Sequence, residues 1–346
     1  MIKLGFVGCG GIMQEHYKHL SAMSGIKMAG HCDIIKERAE SAASRFGGDA
    51  FTEFEAMYDK VKPQAVYVAV PPYAHCARIM DRDTGARIMD RDNSLSSHDK
   101  LWGGMEEAAA ERGIHLFIEK PIAINRQTAK RIEAAMRKAK IITSVGYCFR
   151  YYNTIETARQ ILNGKPVSLI RGSWSGGMPG VWWWRRMDKS GGQIVEQTTH
   201  MFDLMRYLCG EVAEVYAAAS TGCMTKIENF NVHDSSVVAM RMKSGASATI
   251  TSSCVCNHGG GVTLEIVTPE ATMLIAGGAV TLKEAGKVTE HHASVNMYEE
   301  ESKVFIEAIR TGKRTRIKSS YADALKTFLV TFAANESIQS GLPVKP

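Results

Sequence analysis

The first residues whose types and spacing suggest chemistry are three glycines between a predicted strand and a predicted helix, Gly8, Gly10 and Gly11. Glycine at such a turn lets the backbone approach a pyrophosphate closely, and the helix N-terminus offers free N–H groups to the phosphates. Ile12 and Met13 complete the predicted cofactor-binding turn, with Met13 at the position of a third glycine. An ordinary strand-to-helix turn can have the same residues, so the motifs that follow must decide between a cofactor-binding turn and a purely structural one.

Asp33 ends the second predicted strand, near the distance from the glycine turn at which an acidic residue binds the adenosine ribose. Its carboxylate would accept a hydrogen bond from the 2′-hydroxyl of NAD and repel the 2′-phosphate of NADP. Arg38 lies a little further along the chain, where its positive charge could reduce that preference. A helix N-cap is the alternative role for Asp33. We therefore predict NAD as the cofactor, with NADP less favoured.

Two further motifs close predicted strands of the same sheet. Pro71, Pro72 and His75 follow the predicted strand at Ala65–Val70, and Glu119 and Lys120 follow the next one. Ligands bind beyond the carboxyl ends of the strands in doubly wound sheets, so we expect both motifs to border the nicotinamide. A lysine there can hydrogen-bond a substrate hydroxyl, and desolvation can lower its pKa. A rigid turn and a surface ion pair are the corresponding structural alternatives.

The second half of the chain carries a polar stripe on a predicted helix over residues 191–208. Glu196 and His200 are four residues apart, so their side chains can meet on a continuous helix, and Asp203 lies on the same face. A carboxylate beside an imidazole orients the ring and raises its basicity, which suits a proton shuttle. We therefore predict catalytic roles for Glu196 and His200 and a substrate contact for Asp203. A solvated polar face would show the same spacing.

Aromatic and basic side chains that suit a sugar occur in the segment 176–186. Indole faces stack on the apolar faces of sugar rings, and arginines bind hydroxyl or carboxylate groups. We predict substrate contacts for Trp183, Trp184 and Arg185, together with Tyr152 ahead of them. Core or subunit packing is the alternative, and we expect at least one of the three consecutive tryptophans to serve it.

A tandem repeat interrupts the first half of the chain, where the heptapeptide ARIMDRD occurs twice within a polar stretch at about 76–104. We interpret the stretch as a surface insertion, with a flap or an oligomer contact as the alternative. The repeat offers several aspartates, but it lacks the glycine and glutamate that a calcium-binding EF-hand loop requires. Cys254, Cys256 and His258 alternate along a predicted strand without a second ligand pair. No metal ion is therefore predicted.

The elements that must position these residues change character near residue 150. Before it, short apolar runs alternate with helical patterns, which predicts an α/β domain with a doubly wound parallel sheet of the Rossmann type. After it, several strands follow one another with few helices between them, which predicts an α+β domain with a mostly antiparallel open sheet. We place the dinucleotide-binding domain at 1–123 and the substrate-binding and oligomerisation domain at 124–346.

The composition excludes several classes of partner. The 346 residues carry a formal charge of +6 that is spread along the chain, so nucleic acid is not expected to bind. No run approaches the roughly 18 apolar residues of a membrane span, and the N-terminus shows no cleavable leader. The cysteines are scattered in apolar patterns, as reduced core thiols are. We expect a soluble cytoplasmic protein whose partner is a small sugar-like molecule.

Taken together, these motifs resemble the Gfo/Idh/MocA family, over nearly the whole chain apart from the insertion. The residues that carry the resemblance are the glycine turn, Asp33, Pro71-Pro72 with His75, Glu119-Lys120-Pro121, and the segment from Glu196 to Asp203. The resemblance implies a Rossmann domain, an open substrate-binding sheet that builds homodimers or homotetramers, and roles for Lys120 and His200 beside the nicotinamide. This chain departs from the family pattern at Glu196, where aspartate is usual, and at Thr198, where glycine is usual.

The function predicted on this basis is an NAD-dependent dehydrogenase that transfers hydride between a secondary alcohol of a sugar, cyclitol or glycoside and the cofactor. His200 would remove the hydroxyl proton with Glu196 orienting it, and Lys120 would hold the oxygen; the opposite assignment of the base is also open. A glycosidase that uses transient oxidation by NAD would present the same residues. A non-catalytic NAD or sugar sensor is the third possibility, although it would not need Lys120 and His200.

Overall fold

The structure is a computed structural model, and it describes residues 1–75 and 104–346 together with the backbone of residues 79–80 and 87–88. The duplicated heptapeptide therefore falls almost wholly outside the described residues. So do the aspartates that were considered as calcium ligands, which are Asp81, Asp83, Asp90 and Asp92. Within the part of the chain that the structure describes, no helix is both long and apolar enough to cross a membrane.

The chain forms two compact units, and each is built from two separate stretches. The first unit comprises Met1–Gly146 and Tyr298–Ala322, and the second comprises Tyr147–Met297 and Asp323–Pro346. The chain thus leaves the first unit near residue 146, returns to it for one helix, and ends in the second unit.

A six-stranded sheet with parallel neighbours forms the centre of the first unit, in the strand order β3-β2-β1-β4-β7-β8. Its strands are β1 (Ile2–Val7), β2 (Ile26–Cys32), β3 (Asp49–Phe51), β4 (Ala65–Val68), β7 (His115–Ile118) and β8 (Thr143–Val145). A separate antiparallel pair consists of β5 (Ile79–Met80) and β6 (Arg87–Ile88). The helices are α1 (Gly11–Leu20), α2 (Lys36–Phe46), α3 (Phe54–Val61), α4 (Met105–Glu111), α5 (Arg126–Ala139) and α10 (Met297–Thr311).

Aromatic side chains on three neighbouring central strands hold this sheet against its helices. Phe6, Tyr67 and Phe117 are paired in register across β1, β4 and β7, and all three are fully buried. The Tyr67 ring stacks on Phe6 at 5.8 Å and on Phe117 at 4.7 Å. Phe305 of α10 meets Tyr67 edge-on at 5.6 Å, and His16 of α1 lies 4.9 Å from Phe117. Burial on both faces explains why these strands read as continuous apolar runs.

An eight-stranded sheet forms the second unit, in the order β10-β11-β12-β9-β13-β14-β15-β16. Its strands are β9 (Leu169–Ser175), β10 (Val212–Ser220), β11 (Ser235–Met242), β12 (Ser247–Ser253), β13 (Gly261–Val267), β14 (Ala271–Ala276), β15 (Ala279–Glu284) and β16 (Lys287–His291). β9 and β12 run parallel, and the other neighbouring pairs are antiparallel. The helices are α6 (Asn153–Leu162), α7 (Met187–Ser190), α8 (Gly192–Glu196), α9 (Thr199–Cys209) and α11 (Tyr321–Ser340).

The burial of alternate residues shows that one face of this second sheet packs on the core. In β11 every second side chain is buried while its neighbours are exposed or half-buried, and β12 repeats the pattern. Such alternation is typical of an antiparallel sheet with one face covered. The predicted fold class, a parallel Rossmann sheet followed by a mostly antiparallel sheet, is confirmed. β3, β15 and β16 had not been predicted from the sequence.

Gly8 occupies the point where the end of β1 passes closest to the end of β4. Its φ is +82°, and a Cβ atom built on it would lie 2.3 Å from the carbonyl oxygen of Ala69. Side chains other than glycine are disfavoured at such a φ, and this contact leaves no room for a methyl group. The first glycine of the turn is therefore required by folding itself.

We expect Gly8→Ala to lower the free energy of unfolding by about 3 kcal/mol or more, because backbone strain and a backbone clash add. Gly113→Ala is the matched control, since Gly113 also has a positive φ (+67°) but open space around its Cβ position. That variant should lose only about 1 kcal/mol. Urea denaturation of both proteins measures the difference, and equal losses would show that the clash with Ala69 does not matter.

Candidate active site

The glycine turn is held by backbone and side-chain hydrogen bonds to the end of β2. The Gly8 N–H donates to the carbonyl oxygen of Cys32 at 2.8 Å. The Cys9 N–H donates to Oδ2 of Asp33 at 2.7 Å. Cys9 itself is buried, and burial raises the pKa of its thiol to about 11, so it is a neutral core group at physiological pH. The turn is thus fixed from one side, and its other side is left for a ligand.

Space remains open above the N-terminus of α1. Among the described residues, no atom lies within 4 Å of a Cβ built at Gly10 or at Gly11, in contrast to Gly8. Gly10 is the N-cap of α1, no side chain caps its N–H groups, and its first turn contains no acidic residue. Ile12 is partly exposed at this end, whereas Met13 is fully buried in the core beneath it. Free N–H groups, a positive helix end and open space fit the pyrophosphate of NAD.

Asp33 lies directly after β2 and is almost completely buried. Its Oδ1 accepts the N–H of Ile35 at 2.9 Å, while its Oδ2 accepts the N–H of Cys9. α2 begins at Lys36 with Ile35 as its N-cap, so Asp33 is not the N-cap residue. Each carboxylate oxygen can accept a second bond, and that capacity is available for ribose hydroxyls. Arg38 is exposed in the first turn of α2.

The residues after β4 form a turn at Pro71 and Pro72, and His75 behind it is hydrogen-bonded to a buried glutamate. Pro71 is half-buried, Pro72 is buried at the start of a 3-10 turn, and His75 is almost completely buried behind it. The Nδ1 atom of His75 lies 2.6 Å from Oε1 of Glu106, which is itself fully buried in α4. His75 therefore holds α4 against this turn, which is a contact that the sequence did not predict.

Glu119 and Lys120, which follow β7, differ in burial. Glu119 is buried, and its Oε1 lies 2.7 Å from Nε2 of His16 on α1. Gly146 lets the carboxylate fit, because a Cβ there would lie 2.7 Å from Oε2. Glu301 of α10 is fully buried in the same place, and burial, followed by the charge of Glu119, raises its pKa well above the usual value. Lys120 follows Glu119 and is half-buried.

In the second unit, aromatic rings surround the imidazole of His200 near the start of α9. Phe149 stacks on it at 4.7 Å and Trp174 at 5.8 Å, with ring planes within 23° and 16° of parallel. Tyr147 meets the imidazole edge-on at 5.9 Å, and its hydroxyl hydrogen-bonds Thr199 at 2.9 Å. Burial raises the pKa of Tyr147, so this phenol remains neutral. The imidazole of His200 therefore contacts three aromatic rings.

The helix predicted over 191–208 is wrong as a single element, because α8 ends at Glu196 and α9 begins at Thr199. At the break the N–H of Thr198 donates to the carbonyl of Gln193, one residue further back than in an α-helix. The spacing of Glu196 and His200 is therefore not that of a continuous helix. Glu196 accepts a hydrogen bond from Nε1 of Trp184 at 2.8 Å.

Asp203 lies one turn beyond His200 and takes part in a buried ion pair. Arg150 donates to it from Nε at 2.7 Å and from a terminal nitrogen at 2.6 Å, and Thr327 adds a bond at 2.8 Å. Arg150 also pairs with Asp323 at 2.6 Å. Although burial alone would raise the pKa of Asp323, the charges of Arg150 and Arg206 hold it below the usual value. The structure thus places Asp203 where it fixes α9 to α11.

The remaining predicted substrate residues lie in different environments. Trp184 is fully buried against Val232 and Cys254, so it is the core tryptophan that was expected among the three. Trp183 is half-buried, and Arg185 donates to the backbone oxygen of Glu228 at 3.2 Å. Tyr152 lines a small, mostly apolar recess. Other residues that line it include Phe149, Met201, Val262, Ile275 and Gly278.

The sequence analysis singled out His200 and Glu119 but missed several side chains that contact them. It did not single out Phe149 or Trp174 beside His200, because no periodic spacing relates them to that residue. It also missed His16 and Glu301 beside Glu119, which come from helices far apart in the chain.

Comparison with known proteins agrees with these two units. A family model described as "Oxidoreductase family, NAD-binding Rossmann fold" matches residues 2–147. A second one, described as "GFO/IDH/MocA C-terminal domain", matches residues 155–274. Together they span most of both units, and the NAD-binding character of the first agrees with the open glycine turn.

Individual relatives are distant but match over their whole length. The chain is 22% identical to scyllo-inositol 2-dehydrogenase (NAD(+)) of Bacillus subtilis, covering 99% of this chain and 96% of that protein. It is 23% identical to myo-inositol 2-dehydrogenase of Thermotoga maritima, covering 99% and 98%. Among solved structures, levoglucosan dehydrogenase in complex with NADH matches with a TM-score of 0.82 at 19% identity, covering 99% and 98%. At this identity the structural likeness shows the fold.

We expect Gly10→Ala to weaken NADH binding about tenfold or more while leaving the unfolding midpoint unchanged. The new methyl group meets no protein atom, but it occupies the space that the pyrophosphate needs. Gly261→Ala in β13 is the control, because its Cβ would make only a van der Waals contact with Thr263 at 4.0 Å and it lies in the other unit. Fluorescence titration with NADH measures both dissociation constants. An unchanged constant for Gly10→Ala would show that the cofactor does not approach this turn.

Proposed function

Because the chain belongs to the Gfo/Idh/MocA family of oxidoreductases, we propose that it is an NAD-dependent dehydrogenase of a sugar, a cyclitol or a glycoside. The reaction is hydride transfer between a secondary alcohol of the substrate and the nicotinamide. The observation that carries the proposal is the imidazole of His200 beside its aromatic rings, in a chain whose other unit has an open NAD-binding turn.

The surroundings of His200 suit a ring that has polar edges and apolar faces. The rings of Phe149, Trp174 and His200 lie nearly parallel and within 6.3 Å of one another, and aromatic faces of this kind pack against the C–H faces of a sugar or cyclitol. The recess next to Phe149 adds apolar surface. Relatives named as inositol and levoglucosan dehydrogenases support the same substrate class.

The protein supplies proton transfer and orientation to the reaction. When bound, NAD would supply the acceptor for the hydride of the carbon that carries the hydroxyl group. His200 removes the hydroxyl proton, since a neutral imidazole is a base near physiological pH. Glu196, whose carboxylate accepts a hydrogen bond from Trp184, is proposed to favour the imidazolium that results, although the break between α8 and α9 removes the helical spacing on which this role was first based.

Lys120 is proposed to hold the alcohol oxygen through a hydrogen bond from its ammonium group. It stands at the end of β7, directly after a glutamate whose position is fixed by His16. A positive charge at this oxygen stabilises the alkoxide character that develops as the proton leaves. Asp203 is proposed to act through position: its bonds to Arg150 fix the helix that carries His200.

The proposed function predicts NADH formation when the protein and NAD are mixed with the right alcohol. The test uses a panel of cyclitols, sugars and glycosides, with absorbance of NADH followed and free sugar assayed in parallel. NADH should accumulate in proportion to the substrate consumed. Release of free sugar without NADH would instead establish cleavage of a glycosidic bond, and would contradict the proposal.

The proposed roles predict different losses for two variants. His200→Asn should lower kcat by about 10² or more, because general base catalysis is lost, and it should remove the rise of kcat with pH. Lys120→Met should raise KM and lower kcat while the histidine-dependent limb of the pH profile remains. His292→Asn, at an exposed site, is the histidine control. A His200→Asn enzyme with a near-normal rate and pH profile would exclude His200 as the base.

A further inference from the structure

Three ligand-type side chains meet in the interior of the first unit, and no step of the proposed reaction uses them as a group. His16 comes from α1, Glu119 from the end of β7, and Glu301 from α10. Their potential ligand atoms all lie within 4.8 Å of one another, and all three side chains are buried. This arrangement brings one ring nitrogen and two carboxyl groups to a single point.

The hydrogen bonding at this point is incomplete. His16 and Glu119 contact each other through one atom each, at 2.7 Å. Both oxygens of Glu301 and the Nδ1 atom of His16 have no hydrogen-bond partner among the described residues, although they are buried. A buried carboxyl group without partners is costly, and the charge that acts on Glu301 is a second carboxylate rather than a cation.

We propose that His16, Glu119 and Glu301 bind one divalent transition-metal ion, with Zn²⁺ as the best fit. Imidazole nitrogen and carboxylate oxygen are ligands that zinc accepts, and three protein ligands with one water complete a tetrahedral site. The charge of +2 balances the two carboxylates, so the desolvated group becomes neutral. An ion at this point would give the carboxyl group of Glu301, whose oxygens have no hydrogen-bond partner among the described residues, a ligand bond.

The location gives the ion a structural role. His16 lies in the helix that begins at the glycine turn, and Glu119 immediately precedes Lys120. An ion bound by both side chains would join the cofactor-binding helix to the strand end that carries Lys120, with α10 as the third support. The inference concerns the first unit alone and does not depend on which alcohol the protein oxidises.

The first experiment measures the metal content of the full-length protein produced with added Zn²⁺ and purified without chelators. We expect about one Zn²⁺ per chain in the wild type and about tenfold less in Glu301→Gln, which keeps the shape but removes the charged ligand. Glu299→Gln on the exposed face of the same helix is the matched control and should retain the metal. A metal-free wild type, or equal content in Glu301→Gln, would overturn the proposal.

The second experiment identifies the ligand atoms and does not need a folded variant. Replacing Zn²⁺ by Co²⁺ should give a visible spectrum of a nitrogen and oxygen site without thiolate-to-metal charge transfer. A thiolate signature would place the ion on cysteines such as Cys223 and would overturn the assignment.

A third experiment compares melting temperatures with and without Zn²⁺. The ion should raise the melting temperature of the wild type and of Glu299→Gln, but not that of Glu301→Gln or His16→Asn. Equal shifts in all four proteins would contradict it.

Discussion

The carboxylate of Asp33 determines the shape of the cofactor-binding turn, because it accepts a backbone N–H from the turn itself and another from the start of the next helix. Two charge-assisted hydrogen bonds in a buried place leave the backbone little freedom. The same carboxylate fixes the turn and keeps further acceptor capacity, which suits the ribose contact proposed for it. Gly8 supplies the other half of the constraint, because only a residue without a side chain can pass Ala69 so closely. The geometry that NAD requires is present in the protein before NAD binds, which lowers the entropic cost of binding.

In the first unit Asp33 and Gly8 fix the backbone beside the predicted site. In the second unit a buried ion pair fixes the helix that carries His200. Arg150 and Asp203 are joined by two short hydrogen bonds, and Thr327 and Asp323 complete the group. Buried ion pairs contribute little net stability compared with apolar packing, but their geometry is specific. The pair and Thr327 join α9 to α11, and α9 also carries His200, whose imidazole lies beside Phe149 and Trp174. Both units thus keep one polar constraint close to the residues that are proposed to do chemistry.

The sequence predicted those features that depend on local pattern. Continuous apolar runs indicated the parallel sheet, alternating runs indicated the second sheet, and the glycine turn with Asp33 could be recognised from spacing. The break between Glu196 and Thr199 could not, because glutamine and threonine are tolerated inside helices and the apolar period continues across them. Its origin is tertiary: Trp184 fixes one helical piece and Arg150 fixes the other. The cluster of His16, Glu119 and Glu301 escaped notice for a similar reason, since side chains from two distant helices and a strand end leave no recognisable spacing.

The return of the chain to its first unit has a consequence for the order of folding. Phe305 covers Tyr67 and Phe117 of the central sheet, yet it is made only after the whole eight-stranded sheet of the second unit. The N–H of Val145 likewise donates to the carbonyl of Ser319. At a synthesis rate of about 5–20 residues per second, the first unit remains without α10 for roughly ten seconds or more after its strands have left the ribosome. During vectorial synthesis its aromatic surface is open to chaperones or to other nascent chains, and high contact order is the kinetic cost of this discontinuous architecture.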